Sequence, residues 1–235
     1  MVLFGTLMNG LGILIGSLIG LFFTKIPERI KETIMSGIGL TVIIIGLDMG
    51  FTSDRIIVVL LSLLTGAIIG EWLRLEDKLN ALGGWIESKV QKPTNQSLVA
   101  QGFVTASLIF VIGAMSVIGA LDSGLRDDHE ILLTKSMIDG FVALVLTTTL
   151  GFGVVFSIIP VVLYEGLIAL FATQIESWLP EAFLNTFIED MTATGGLMIL
   201  AIGLNLLNVT NIRVANLLPI IITVGLISAV YSLIV

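Results

Sequence analysis

The chain has 235 residues, 56% hydrophobic and 12% charged, with a formal net charge of −7 and a mean hydropathy of +1.08. A soluble domain of this length cannot hide so much apolar surface, and the strands of a membrane barrel would alternate apolar and polar residues instead of running apolar on every side. There is no cysteine and the single histidine is His129, so disulfides, thiolate chemistry and a His-based metal or haem site are not expected, and no basic cluster points to nucleic acid.

Segment 1 runs from about Val2 to Thr24. It is apolar from the first residue, without a basic n-region or a small-residue cleavage site, and is read as a retained first span. Gly12, Gly16 and Gly20 form a double G-x-x-x-G ridge along it, suited to close helix packing. That packing is expected within the subunit, with a homo-oligomer interface as the alternative. Segments 2 and 3 follow at about Thr33–Gly50 and Ile56–Trp72. The stretch Leu73–Ser97 is polar, with Leu75, Leu79, Leu82, Trp85, Ile86 and Val90 at helical spacing. It reads as a short interfacial helix or as a solvated linker helix.

Segment 4 covers about Leu98–Leu121 and leads to an acidic loop, Asp122–Lys135. From Ser136 to Ala172 the chain is nearly uncharged and too long for one ordinary span. Gly151, Gly153 and Pro160 divide it into segment 5 (Met137–Phe156) and segment 6 (Ile158–Thr173), the latter short enough to be re-entrant. Segments 7 and 8 are about Phe187–Leu207 and Val214–Val235. The expectation is an all-α polytopic transmembrane helical bundle of about eight spans in a single membrane domain, embedded in the lipid bilayer.

Two stretches resemble each other. GLTVIIIGLD spans Gly39–Asp48 and GLMILAIGLN spans Gly196–Asn205. Similar elements flank them in the same order: Asn9-Gly10-Leu11 with Glu165-Gly166-Leu167, Pro27-Glu28 with Pro180-Glu181, and Thr52–Arg55 with Thr210–Arg213. This defines repeat unit one (1–74), an interfacial linker (75–97), central spans (98–157) and repeat unit two (158–235). Five spans separate the unit starts, so the repeat would be inverted in topology, which is the architecture of many secondary transporters. If Ser136–Ala172 were a single span, it would be parallel instead.

Lys25, Arg29, Lys31, Arg74, Lys78, Lys89, Lys92 and Arg213 flank one side of the spans, against Arg55, Arg126 and Lys135 on the other. The positive-inside rule then makes the first group cytoplasmic and the N-terminus external.

An ionisable or strongly polar residue within a span is a candidate for function. Asp48 ends segment 2, and its repeat counterpart is Asn205; Glu165 lies within segment 6, and its counterpart is Asn9. Asp139 lies near the start of segment 5. The competing readings are headgroup-level solvation for Asp48 and Asp139, and an interhelical hydrogen bond for Glu165. Asp190–Gly196, with Thr192, Thr194 and adjacent glycines, suggests either local unwinding or close packing of small residues. Ser36–Gly39 occupies the same place in the first copy, and Gly113–Ser116, including Ser116, is a further small polar stretch. Oxygen ligands of these kinds suit a small solute, a proton or a monovalent cation. No nucleophile elbow, Walker loop, HExxH or intramembrane-protease motif is present, so neither enzymatic activity nor a cofactor is expected.

The stretches Gly5–Gly20, Lys25–Gly50 and Phe110–Leu125 together resemble the bacterial DUF554 family of membrane proteins, over essentially the whole chain. The resemblance implies a multi-pass protein of the bacterial inner membrane and carries no activity with it. The family's Asn-Gly-x-Gly and Gly-Ala-Leu-Asp elements fall on Asn9–Gly12 and Gly119–Asp122, which adds Asp122 to the candidates. The functional expectation is a secondary transporter or channel for a small solute or ion. A non-transport scaffold or accessory subunit, packing a partner through the glycine ridge, is the alternative.

Overall fold

The structure is a computed structural model and describes residues 1–23, 28–81, 96–178 and 180–234. Most of these residues are helical, and there is no strand among them. The helices are α1 (Phe4–Phe22), α2 (Glu28–Gly50), α3 (Ile56–Leu73), α4 (75–81 as far as described), α5 (Gln96–Val111), α6 (Ala114–Arg126), α7 (Glu130–Leu150), α8 (Ile158–Leu170), α9 (Ala172–Trp178), α10 (Glu181–Leu206) and α11 (Ile220–Ile234). Among the described residues six helical stretches are long and apolar enough to cross a membrane, or seven if the bent pair α5–α6 is one span. Most of the interfacial segment, including Leu82, Trp85, Ile86 and Val90, lies outside the described residues.

The chain forms two compact units, 1–34 with 83–179, and 35–82 with 180–235. This division cuts across the expected one. Each unit combines helices from both of the expected repeat units.

In the first unit α1 packs chiefly on α7. The glycine ridge is the reason. A Cβ on Gly12 would run into Ser136, one on Gly16 into the Gly140 carbonyl, and one on Gly20 into Leu144 and Thr147. Contacts that ascend both helices together make α1 and α7 parallel. Gly10 instead lies against Val162 and Ile158, and Gly166 lies against Leu3 and Thr6, so α8 runs antiparallel to α1. The chain therefore reverses between α7 and α8. It does so at Gly151, whose φ of +73° suits glycine, followed by a 3₁₀ segment, Gly151–Ser157. The division of Ser136–Ala172 into two limbs matches this reversal.

Segment 4 is broken. Gly113 has φ +145°, a conformation L side chains avoid, and α5 and α6 meet there at a 59° bend. Ser116 donates to the Phe110 carbonyl across the break (3.0 Å), satisfying one acceptor that the helix leaves open. Helix α6 then continues to Arg126, which shrinks the expected Asp122–Lys135 loop to three residues, 127–129.

In the second unit the two Gly-Leu motifs pack on each other. A Cβ on Gly39 would meet Leu207 and the Gly203 carbonyl, and one on Gly203 would meet Ile43 and the Gly39 carbonyl. Likewise Gly46 lies on Leu200 and the Gly196 carbonyl, and Gly196 on Gly50 and the Gly46 carbonyl. The contacts are reciprocal and descend one helix as they ascend the other, so α2 and α10 are antiparallel. α3 and α11 are also antiparallel: Gly66 lies on Ile220, Gly70 on Asn216, and Thr223 donates to the Ser62 carbonyl at 2.9 Å.

Helix α10 is continuous through Asp190–Gly196, and α2 is continuous through Ser36–Gly39. Of the two readings of these stretches, local unwinding does not occur at either place. Gly196 is needed for backbone approach to α2, and in an apolar setting an unbroken helix keeps its backbone groups paired internally.

Candidate functional site

Four polar side chains meet inside the first unit. Asn9 comes from α1, Lys135 and Asp139 from α7, and Glu165 from α8; all four are buried, Asn9 and Glu165 with 0% exposure. The antiparallel α1–α8 crossing brings Asn9 Nδ2 to donate to Glu165 Oε1 at 2.9 Å. Lys135 and Asp139, four residues apart on one face of α7, form an ion pair. Asn9 is also within reach of the Asp139 carboxylate, and the charges of Lys135 and Asp139 act on Glu165. These residues form one electrostatic cluster.

The cluster is incompletely satisfied. Glu165 Oε2, Asn9 Oδ1 and Thr6 Oγ1 are buried without a hydrogen-bond partner among the described residues. Thr6 lies one turn from Asn9, and its methyl carbon is 3.9 Å from where a Cβ on Gly166 would sit. Buried polar atoms are normally paired, because leaving one unpaired costs on the order of 1–3 kcal/mol. These unpartnered oxygens, beside a buried carboxylate, make this cluster the candidate site. Two turns further along the same face of α1, beyond the fully buried Ile13, the hydroxyls of Ser17 and Thr147 are also buried and unpartnered.

The second unit holds a different polar cluster. Asp190 on α10 is completely buried and accepts from Ser53 Oγ (2.7 Å), Arg55 Nε (3.3 Å) and Ser228 Oγ (2.8 Å), and it is ion-paired with the Arg55 guanidinium. Arg55 also donates to Ser228 (2.9 Å) and Ser232 (3.2 Å) and stacks over Tyr231 with 5.5 Å to the ring centre. Both Asp190 carboxylate oxygens are hydrogen-bonded, so the cluster ties α3, α10 and α11 together. Its counterpart is more exposed: Arg213 pairs with Glu71 (2.5 Å), and Asn216 bridges Glu71 (2.5 Å) and the Glu76 backbone (2.7 Å).

The remaining candidates from the sequence are not part of the first-unit cluster. Asp48 is exposed on α2. Asn205 organises the loop that follows it, accepting from Thr210 (2.8 Å) and the Ile212 amide (2.9 Å) and donating to the Ile212 carbonyl (2.7 Å). Asp122 pairs with Arg126 at 3.2 Å, one turn away. Ser116 braces the α5–α6 break. Thr194 bonds back to the Asp190 carbonyl at 2.6 Å, while the Thr192 hydroxyl is buried and unpartnered within α10.

Lys135, expected in the loop after segment 4, lies within α7 and is ion-paired with Asp139, whereas Arg55 flanks α3 as expected and is ion-paired with Asp190. Lys135 belongs to the cluster, and its signal was present as a Lys–Asp spacing of four within an apolar stretch. Asp190 carried no comparable local signal, since its partner lies 135 residues away.

Helices of this length and apolarity, with charged groups paired in their interior, define a polytopic α-helical membrane protein. The chain belongs to the family described as Protein of unknown function (DUF554), which it matches over residues 4–229. It is 32% identical over 223 residues to Uncharacterized membrane protein YdfK of Bacillus subtilis (strain 168), and 30% identical over 220 residues to Uncharacterized protein YqgA of Escherichia coli (strain K12). Each alignment covers 92% of both chains. No solved structure matches it.

Proposed function

We propose that this protein is a secondary transporter or channel of the bacterial plasma membrane for a small solute or ion, with its site at the crossing of two inverted repeats. The observation that carries this reading is the Asn9–Glu165 contact. It is a buried carboxylate–amide pair inside apolar helices, with unpartnered oxygens on both groups and on Thr6. A carboxylate within a span is costly and is typically retained for an ion or substrate pathway. A scaffold has no use for unfilled hydrogen-bonding capacity there.

The repeat reading is supported by which helices pair. The sequence counterparts are α1 with α8, α2 with α10 and α3 with α11. Each packs antiparallel on its own counterpart, and Asn9 and Glu165 occupy matched repeat positions. The reciprocal contacts of Gly39 with Gly203 and of Gly46 with Gly196 have the self-complementary pattern of a two-fold interface. An eight-crossing order, with both limbs of the α7–α8 hairpin crossing, reproduces these senses and the parallel packing of α1 on α7. The N-terminus is placed outside on the remaining Lys and Arg bias. The scaffold alternative loses its surface, since the α1 ridge is occupied by α7.

The test is flux into proteoliposomes for a panel of alkali cations, protons and small metabolites, comparing wild type with Glu165→Gln. The expected result is a wild-type flux that falls at least about tenfold in the variant, consistent with loss of an essential charged ligand. If no flux in the panel responds to Glu165→Gln, the transport mechanism is wrong.

A further inference from the structure

Deepening the transport reading and resting on it, we propose that the Asn9–Glu165 site takes one monovalent cation, a proton or an alkali ion, and that Lys135 is the resident countercharge that limits occupancy to one. Within one compact unit Asn9 of α1 meets Glu165 of α8, and Lys135 meets Asp139 on α7, which packs against α1. With every group ionised the cluster holds two carboxylates and one ammonium, a net charge of −1. Charge in the interior of spanning helices is retained only when balanced, so the cluster requires one further positive unit.

The hydrogen bonds show where that unit goes. Asp139 already holds Lys135. Glu165 has only the neutral Asn9 amide on Oε1, and its Oε2 is open. The neighbouring open atoms are Asn9 Oδ1, an acceptor, and Thr6 Oγ1, which accepts through its lone pairs. An anion would meet two carboxylates and, among the described residues, no free cationic donor. A divalent ion would overcompensate the charge and require six or more oxygens in the usual case. An alkali ion is served by the open oxygens. A proton bound to a lone pair of Oε2 converts that atom into a donor facing an acceptor-rich surround.

The other charged groups near Glu165 do not alter the count. Tyr164 precedes it on α8 and is neutral in its ordinary form. α6, which also packs on α8, carries Asp122 and Arg126, paired with each other. α5 carries no charged residue, α1 contributes none to the site, and Glu176 on α9 is exposed.

The experiment counts bound monocations on the purified full-length protein in detergent micelles. Proton uptake is followed by potentiometric titration, and NaCl and KCl binding by calorimetry, with choline chloride as the control. Wild type is expected to bind one monocation that Glu165→Gln does not bind. Alkali binding with proton release identifies competition for one site, and proton uptake insensitive to alkali salts identifies the proton as occupant; both support the proposal. Lys135→Gln leaves the cluster at −2 and is expected to bind two monocations. The double variant Lys135→Gln/Asp139→Asn returns to −1 and is expected to bind one, which separates charge counting from misfolding of the single variant. Equal binding in wild type and Glu165→Gln, a single cation in Lys135→Gln, or preferential binding of Ca²⁺ by wild type would overturn the proposal. Binding without flux sinks the transport reading and leaves the site intact. Flux lost in Glu165→Gln without monocation binding does the reverse.

Discussion

The Arg55–Asp190 pair offers a direct measure of what holds the second unit together. Asp190 has 0% side-chain exposure and Arg55 has 19%. Removing one partner of a buried pair costs about 3–5 kcal/mol, because the other charge is left uncompensated, whereas replacing both with apolar groups is often neutral. The structure predicts an asymmetry within that range. In Asp190→Leu the guanidinium keeps Ser228, Ser232, the Tyr231 ring and some water, so the loss belongs near about 3 kcal/mol. In Arg55→Leu the carboxylate keeps only the Ser53 and Ser228 hydroxyls and no solvent, so the loss belongs nearer about 5 kcal/mol. Arg55→Leu/Asp190→Leu is expected within about 1 kcal/mol of wild type. The assay is thermal unfolding in one fixed detergent, where about 2–4 °C per kcal/mol applies to chains of this size. The single variants should lose about 6–20 °C and the double variant no more than about 4 °C. If the double variant loses the sum of the two single losses, the residues are independent and the reasoning fails.

Two further outcomes test the packing. Gly16→Leu places a side chain against the Gly140 carbonyl, and because both surfaces are backbone no rotamer change relieves the contact. A loss of about 3 kcal/mol is expected, at the upper end of overpacking costs, with no change in oligomeric state by light scattering. A shift in oligomeric state at unchanged thermal stability would show the ridge to be a subunit interface instead. Asn205→Ala removes three loop hydrogen bonds at a partly exposed position. It should cost about 1–2 kcal/mol in the same unfolding assay and leave any flux unaltered; a flux defect at full stability would return Asn205 to the site.

The features that sequence reading recovered are those encoded by residue type over short range. Apolar length gave the spans, and Gly151 marked the reversal between α7 and α8 because a positive φ there suits glycine. Glu165 stands out in the sequence as an ionisable residue within a span, and Asn9 as its expected counterpart in the other half of the chain. Hydropathy does not encode pairing. Nothing local told Asp190 that Arg55 would face it, and the glycines of Asp190–Gly196 read equally well as a break or as a contact surface. The structure resolves that ambiguity through partners: Gly196 has the α2 backbone against it, whereas Gly113 sits at a real break with its φ at +145°. Lys135 illustrates the opposite error. A charge near a segment end was assigned to a loop, although α7 begins five residues before it, at Glu130.

The contrast between the antiparallel crossings explains why the polar site falls where it does. At the α2–α10 crossing the matched positions are glycines, the backbones touch, and there is no volume for a polar side chain. At the α1–α8 crossing only Gly10 is tight, against Val162, and the residues that face each other are Asn9 and Glu165, whose side chains meet there. The inequality of that pair has a physical consequence. Two carboxylates at the same contact would repel across a low-dielectric gap, and two amides would carry no charge. One amide and one carboxylate give a single negative charge, hydrogen-bonded on one oxygen and open on the other. On the inverted-repeat reading, this departure from symmetry is the feature on which the proposed binding at the α1–α8 crossing rests.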